Sequence, residues 1–130
     1  MSYRIPSEDV LERAMCEVLA EHQTVSSQSR LLRLVTERLL REDDGYRLSG
    51  ERMRRFAILR GLATVEIKVK DVDERSRYGR CPVCTSKMAR IKNMTIYDGT
   101  VTNGYRCPVC GYWTGMKRRV PTRYVFHVIE

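Results

Sequence analysis

Cys81-Pro82-Val83-Cys84 recurs as Cys107-Pro108-Val109-Cys110, with 22 residues between the two pairs. Two cysteines separated by two residues turn both sulfurs toward one point. Two such turns supply four thiolates, the closed tetrahedral shell that Zn²⁺ takes in structural sites. No histidine or carboxylate lies inside either pair, so no position is left open for a reacting water. Cys81, Cys84, Cys107 and Cys110 are therefore the expected ligands of a rubredoxin-like zinc ribbon that organises a surface and performs no chemistry. Four thiolates also suit iron, the minor alternative.

Disulfides are the other use of paired cysteines, and they belong to oxidising compartments. Met1-Ser2-Tyr3-Arg4-Ile5-Pro6 leads straight into charged residues, and no apolar run is long enough to span a membrane. A cytoplasmic protein without a membrane partner is expected, with its thiols reduced and metal-bound. The span 79–130 is too short to fold on an apolar core alone, so metal binding has to supply much of its folding free energy.

The chain has 130 residues and a formal charge of +8, unevenly spread. Residues 1–50 hold 7 Lys/Arg and 9 Asp/Glu, residues 51–80 hold 9 and 5, and residues 81–130 hold 8 and 2. A basic second half points to a polyanionic partner on that side.

Hydrophobic periodicity predicts three helices. Ser7 caps the first, with Glu8 and Asp9 at its positive end and Val10, Leu11, Ala14, Met15, Val18 and Leu19 along one face. After a short connection at His22–Val25, Ser26 or Ser27 caps a second helix lined by Leu31, Leu32, Leu34, Val35, Leu39 and Leu40, which Glu42-Asp43-Asp44-Gly45 stops. Ser49 caps a third, with Met53, Phe56 and Ala57 inward, Arg52, Arg54 and Arg55 outward, and Gly61 at its end. Ala63–Lys70 alternates apolar and polar residues as a half-buried strand does, and the charge-dense 71–80 reads as a wing or linker. Met88–Tyr97 and Val101–Arg106 read as a hairpin turned at Asp98-Gly99, and Tyr124–Ile129 as a closing strand, more simply paired with Ala63–Lys70 than confined to the ribbon.

Three short helices, a strand and a charged loop are the order of a winged helix, whose third helix enters the major groove. The link from Glu42 to Leu48 is longer than the tight helix-turn-helix turn. The fold class expected is α+β, with an N-terminal winged helix over 1–78 and a zinc ribbon over 79–130. On Tyr46-Arg47-Leu48-Ser49-Gly50-Glu51-Arg52-Met53-Arg54-Arg55 and Gly104-Tyr105-Arg106-Cys107-Pro108-Val109-Cys110-Gly111-Tyr112-Trp113, the chain resembles small archaeal proteins that fuse a winged helix-turn-helix to a C-terminal zinc ribbon and are regarded as transcriptional regulators. The resemblance covers nearly the whole chain and implies DNA binding and transcription regulation.

Candidate contacts to nucleic acid follow from residue chemistry. Arg52, Arg54 and Arg55 on the third helix suit guanine edges or phosphates, and Lys68 and Lys70 share one face of the strand. Tyr112 and Trp113, followed by Lys117, Arg118, Arg119 and Arg123, interleave aromatic and basic side chains as a surface for stacked, unpaired bases does. Three functions fit: a regulator on double-stranded DNA, with homodimers on paired half-sites; an RNA-binding or ribosome-associated ribbon protein; or an adaptor docking on RNA polymerase or another transcription protein. No nucleophile–base pair, phosphate loop or open metal shell is present, and an enzyme is not expected. Cys16 reads as a free thiol of the first helix, while His22 and His127 carry no assigned chemistry.

Overall fold

A computed structural model describes residues 3–94 and 99–129. The fold is α+β, with three helices and two small antiparallel sheets. The chain forms two compact units, one running up to Glu66 and resuming from Arg123, the other spanning Ile67–Thr122. These divisions fall within long strands rather than in the charged stretch before Cys81.

In the first unit, α1 (Glu8–His22), α2 (Gln28–Leu40) and α3 (Gly50–Leu59) are each capped by a serine, Ser7, Ser27 and Ser49 respectively. Each serine is extended, and its hydroxyl accepts from the backbone N–H three residues on, satisfying one of the amides a helix start leaves unpaired. The helices close a core of Leu11, Met15, Val18, Leu19, Leu31, Val35, Leu39, Met53 and Ala57. Burying large apolar side chains of this kind stabilises by about 1.5–3 kcal/mol each, before the entropic cost of ordering. At the end of α2, the Asp43 carboxylate accepts from the Gly45 N–H at 2.8 Å, giving the chain a local alternative to further helix. Arg4 and Tyr46 form a bridge that ties the N-terminal segment to the α2–α3 link.

Thr24–Val25 forms strand β1, pairing with His127 and Phe126 of β6 (Lys117–Val128); the sheet order is β1-β6-β2, with β2 spanning Ala63–Arg75. Phe126 is wholly buried in the helical core, so the closing strand is part of the first unit's interior.

Both long strands exceed the sequence reading. β2 continues through Asp71–Arg75, read above as wing or linker, and β6 starts at Lys117 rather than Tyr124. Charged residues are tolerated because strand pairing satisfies the backbone while the side chains stay in water. Pro121 sits inside β6, at positions β1 does not reach, consistent with the confinement of proline to strand segments with an open edge.

The second unit carries β3 (Ala89–Met94), β4 (Thr100–Arg106) and β5 (Trp113–Thr114) in the order β3-β4-β5, with a register shift at Ile91/Lys92. Residues 95–98, and with them the expected Asp98 turn, lie outside the described residues. Gly104 is fixed by a close approach: a Cβ there would meet the Thr114 carbonyl oxygen at 2.1 Å. Only glycine lets β4 and β5 pair at that point.

Candidate metal centre and basic surface

The repeated tetrapeptides fold alike. In the first, the Cys81 N–H donates to Ser86 O at 2.8 Å and the Thr85 N–H to Cys81 O at 2.9 Å. In the second, the Cys107 N–H donates to Tyr112 O at 2.7 Å and the Gly111 N–H to Cys107 O at 3.2 Å. The residue after each pair is left-handed, Gly111 at φ 84° and Thr85 at φ 66°. Glycine takes that conformation freely, whereas β-branched Thr85 is strained there.

These turns bring the sulfurs of Cys81, Cys84, Cys107 and Cys110 within 4.8 Å of one another, with the Cys81–Cys110 and Cys84–Cys107 sulfurs 3.5 Å apart. Zinc–sulfur bonds of ~2.3 Å arranged tetrahedrally put sulfurs about 3.8 Å apart, so the four cysteines fit a tetrahedral ion. Three are buried and Cys110 is half-buried. The Val83 N–H donates to Cys81 Sγ at 3.3 Å, a contact that steadies thiolate charge, and the Cys84 thiol donates to Ser86 Oγ at 3.3 Å. The hydrogen bond from Cys110 favours the Cys81 thiolate, whose pKa is lowered to about 5. The same bond, together with burial, pushes the Cys110 thiol up; burial raises Cys107. Four adjacent thiolates cannot all be charged without a cation, which is the electrostatic demand a divalent metal meets.

The expected contact residues scatter. Arg54 is a correction: read as outward, it is only 7% exposed, donates to Gln28 Oε1 at 2.8 Å and lies 4.7 Å from the centre of the Tyr124 ring. Ten residues of helix give three faces, and Arg54, next to Met53 and three before Ala57, falls on the one that meets α2. Arg52 donates to Pro6 O at 2.9 Å, and Arg55 pairs with Glu51 at 2.8 Å. Arg52 Nη1 and Arg55 Nε are buried without a hydrogen-bond partner among the described residues. The third helix therefore spends its guanidinium groups largely within the first unit. Arg123 does likewise, donating to Ser26 O at 2.7 Å.

In the second unit, Tyr112 is a further correction. It is 5% exposed and its hydroxyl donates to Arg119 O, so it packs behind the knuckle instead of offering a stacking face; burial raises its pKa. Trp113 is 48% exposed, and the Arg119 guanidinium lies 3.7 Å from its ring centre. Tyr112 precedes β5, whereas Trp113 opens it on the exposed face opposite buried Thr114. A cavity of about 410 Å³ borders Trp113, Lys70, Asp71, Lys117 and Arg119. Arg119 also lies 3.9 Å from Asp71, Arg118 pairs with Glu74 at 2.9 Å, and Lys68 is exposed.

Two groupings escaped the sequence reading. Tyr78 and Tyr105 pack with ring centres 5.5 Å apart, with Arg90 over Tyr78 at 4.4 Å. Arg75, Arg77 and Arg80 border a second cavity beside the first knuckle. Their clustering in a charge-dense segment was visible, but the concavity was not. No helix among the described residues is long and apolar enough to cross a membrane. Comparison with protein-family models, with curated proteins and with solved structures returned no match to this chain.

Proposed function

We propose that this chain is a cytoplasmic DNA-binding protein, a transcriptional regulator, built as a winged helix with a structural zinc ribbon inserted between its last two strands. The charge distribution carries the reading. Residues 67–122 hold 12 Lys/Arg and 4 Asp/Glu, and the rest of the chain holds 12 of each, so the whole formal charge of +8 belongs to the unit containing the four cysteines. A zinc ion bound by four thiolates leaves that unit at about +6. A neutral unit and a strongly basic one in the same chain are what a polyanion-binding module on a scaffold requires.

Winged-helix architecture is supported by β1 falling between α1 and α2 and by the order β1-β6-β2. With Arg54 taken up internally, phosphate contacts fall to Lys68, Lys70, Lys117 and Arg118, and Arg55 remains the third helix's candidate for the duplex. Such contacts give affinity and register before sequence. The deciding experiment measures binding of zinc-loaded protein to matched duplex DNA, single-stranded DNA and structured RNA over a salt series. Tightest duplex binding with a steep salt slope supports the proposal, and no binding to any of them leaves a protein adaptor docking on RNA polymerase.

One observation favours a second reading. Exposed Trp113 beside Arg119, Lys70 and Lys117 suits an unpaired base and its phosphates. Tightest binding to single strands or RNA, lost in Trp113→Ala, would make this an RNA-binding or ribosome-associated ribbon protein.

A further inference from the structure

We infer that the cavity beside the first knuckle, bordered by Arg75, Arg77, Arg80 and Arg118, is a binding site for a phosphomonoester. Its volume of about 510 Å³ lies within the range of small-molecule sites. Ser76, Thr114 and Tyr112 line it and are buried, and their hydroxyls are already committed to the backbone. Ser76 Oγ donates to Gly115 O at 2.5 Å, Thr114 Oγ1 to Lys117 O at 3.2 Å, and the Tyr112 hydroxyl to Arg119 O. The floor is therefore polar and held in place by hydrogen bonds that ligand binding does not need to break.

The rim is cationic beyond what the protein neutralises. Glu74 pairs with Arg118 at 2.9 Å. Arg75, Arg77 and Arg80 have no carboxylate partner within salt-bridge distance among the described residues. Three arginines lining one concavity focus positive potential into it. A compact dianion complements that potential, and the planar guanidinium fork matches phosphate oxygens two at a time. A phosphomonoester carries close to two charges at neutral pH. A phosphodiester carries one, and its chain has to leave the cavity on both sides. Nothing in the cavity depends on nucleic acid binding elsewhere on the unit.

Zinc-loaded protein is titrated with inorganic phosphate, ribose 5-phosphate and ribose at fixed ionic strength, following the arginine Nε–H resonances. Saturable shifts of the same resonances with both phosphates, and none with ribose, are expected. Arg77→Gln and Arg80→Gln should each weaken binding about tenfold, as loss of a charged hydrogen bond does, while Trp113→Ala leaves it unchanged. A short oligonucleotide with and without a 5′-phosphate distinguishes the sources: a larger gain from the phosphate on the strand than on ribose assigns the site to strand ends, and an equal gain assigns it to free phosphomonoesters. No saturable shifts, or binding unchanged in both arginine variants, overturns the assignment.

Discussion

Arg54 on α3 donates to the side-chain oxygen of Gln28 on α2 at 2.8 Å, so an arginine expected to point outward serves as an interhelical tie. Removing it takes that donor from Gln28 and the guanidinium from over the Tyr124 ring. Arg54→Ala is expected to destabilise the first unit by about 2–3 kcal/mol, the range for breaking a buried charged hydrogen bond. Arg55→Ala removes a pair with Glu51 and a buried Nε that has no hydrogen-bond partner, and should change stability by less than about 0.5 kcal/mol. Urea unfolding of the two variants checks the contrast; equal losses would refute it.

Zinc should bind with one ion per chain, measured by native mass spectrometry, and Cys107→Ser should unfold Ile67–Thr122 while core amides of α1 and α2 stay protected from exchange. Binding should weaken as pH falls. Cys110 holds its proton in a hydrogen bond to Cys81, and zinc has to displace that proton, so acid competes with metal. A metal affinity independent of pH between 5 and 8 would contradict the thiolate shell.

Thr85 and Gly111 occupy equivalent left-handed positions, but only one is a glycine. Thr85→Gly should stabilise the metal-loaded unit by about 1 kcal/mol, since the strain of a side chain at positive φ exceeds the entropy glycine loses. Gly111→Thr should cost a similar amount. Thermal unfolding of both reads the pair of opposite signs.

Neighbouring Tyr112 and Trp113 should separate in their effects. Tyr112→Phe loses a buried hydrogen bond, about 1 kcal/mol of stability. Trp113→Ala should leave stability within about 0.5 kcal/mol and weaken single-strand binding by roughly 1–3 kcal/mol per stacked base. A Trp113→Ala protein that unfolds early but binds normally would reverse the two roles.

Salt dependence locates the charges at work. Lys70→Ala and Lys117→Ala should each lower the slope of log K against log salt by about 1 per lost phosphate contact, and Arg52→Ala should leave the slope alone. A slope that responds only to Arg52 would return the interface to α3.

Much of this was legible in the chain because the signals were local. A serine before a periodic apolar run is a helix start, and a repeated four-residue turn brings its two sulfurs together wherever it is placed. Arg54 was misread because its side chain is polar and its position is not: ten residues of helix offer little periodicity to distinguish an inward arginine from an outward one, and the partner that accepts it, Gln28, is 26 residues away. Tyr112 and Trp113 could not be told apart because what buries Tyr112, its hydroxyl on Arg119 O, and what exposes Trp113, its place at the start of β5, are both set by tertiary structure. The length of β2 escaped for the same reason, since its charged half is held by pairing with β6 and not by its own composition.

Phe126 completes a core whose other large members precede residue 64, and this imposes an order on synthesis. While the ribosome is still adding residues 67–122, the three helices have been made but lack their last apolar plug and the strand that pairs with β1. The second unit has all four sulfurs once Cys110 is added, ahead of Phe126. The helical unit must wait, partly exposed, for residues made some sixteen positions after Cys110.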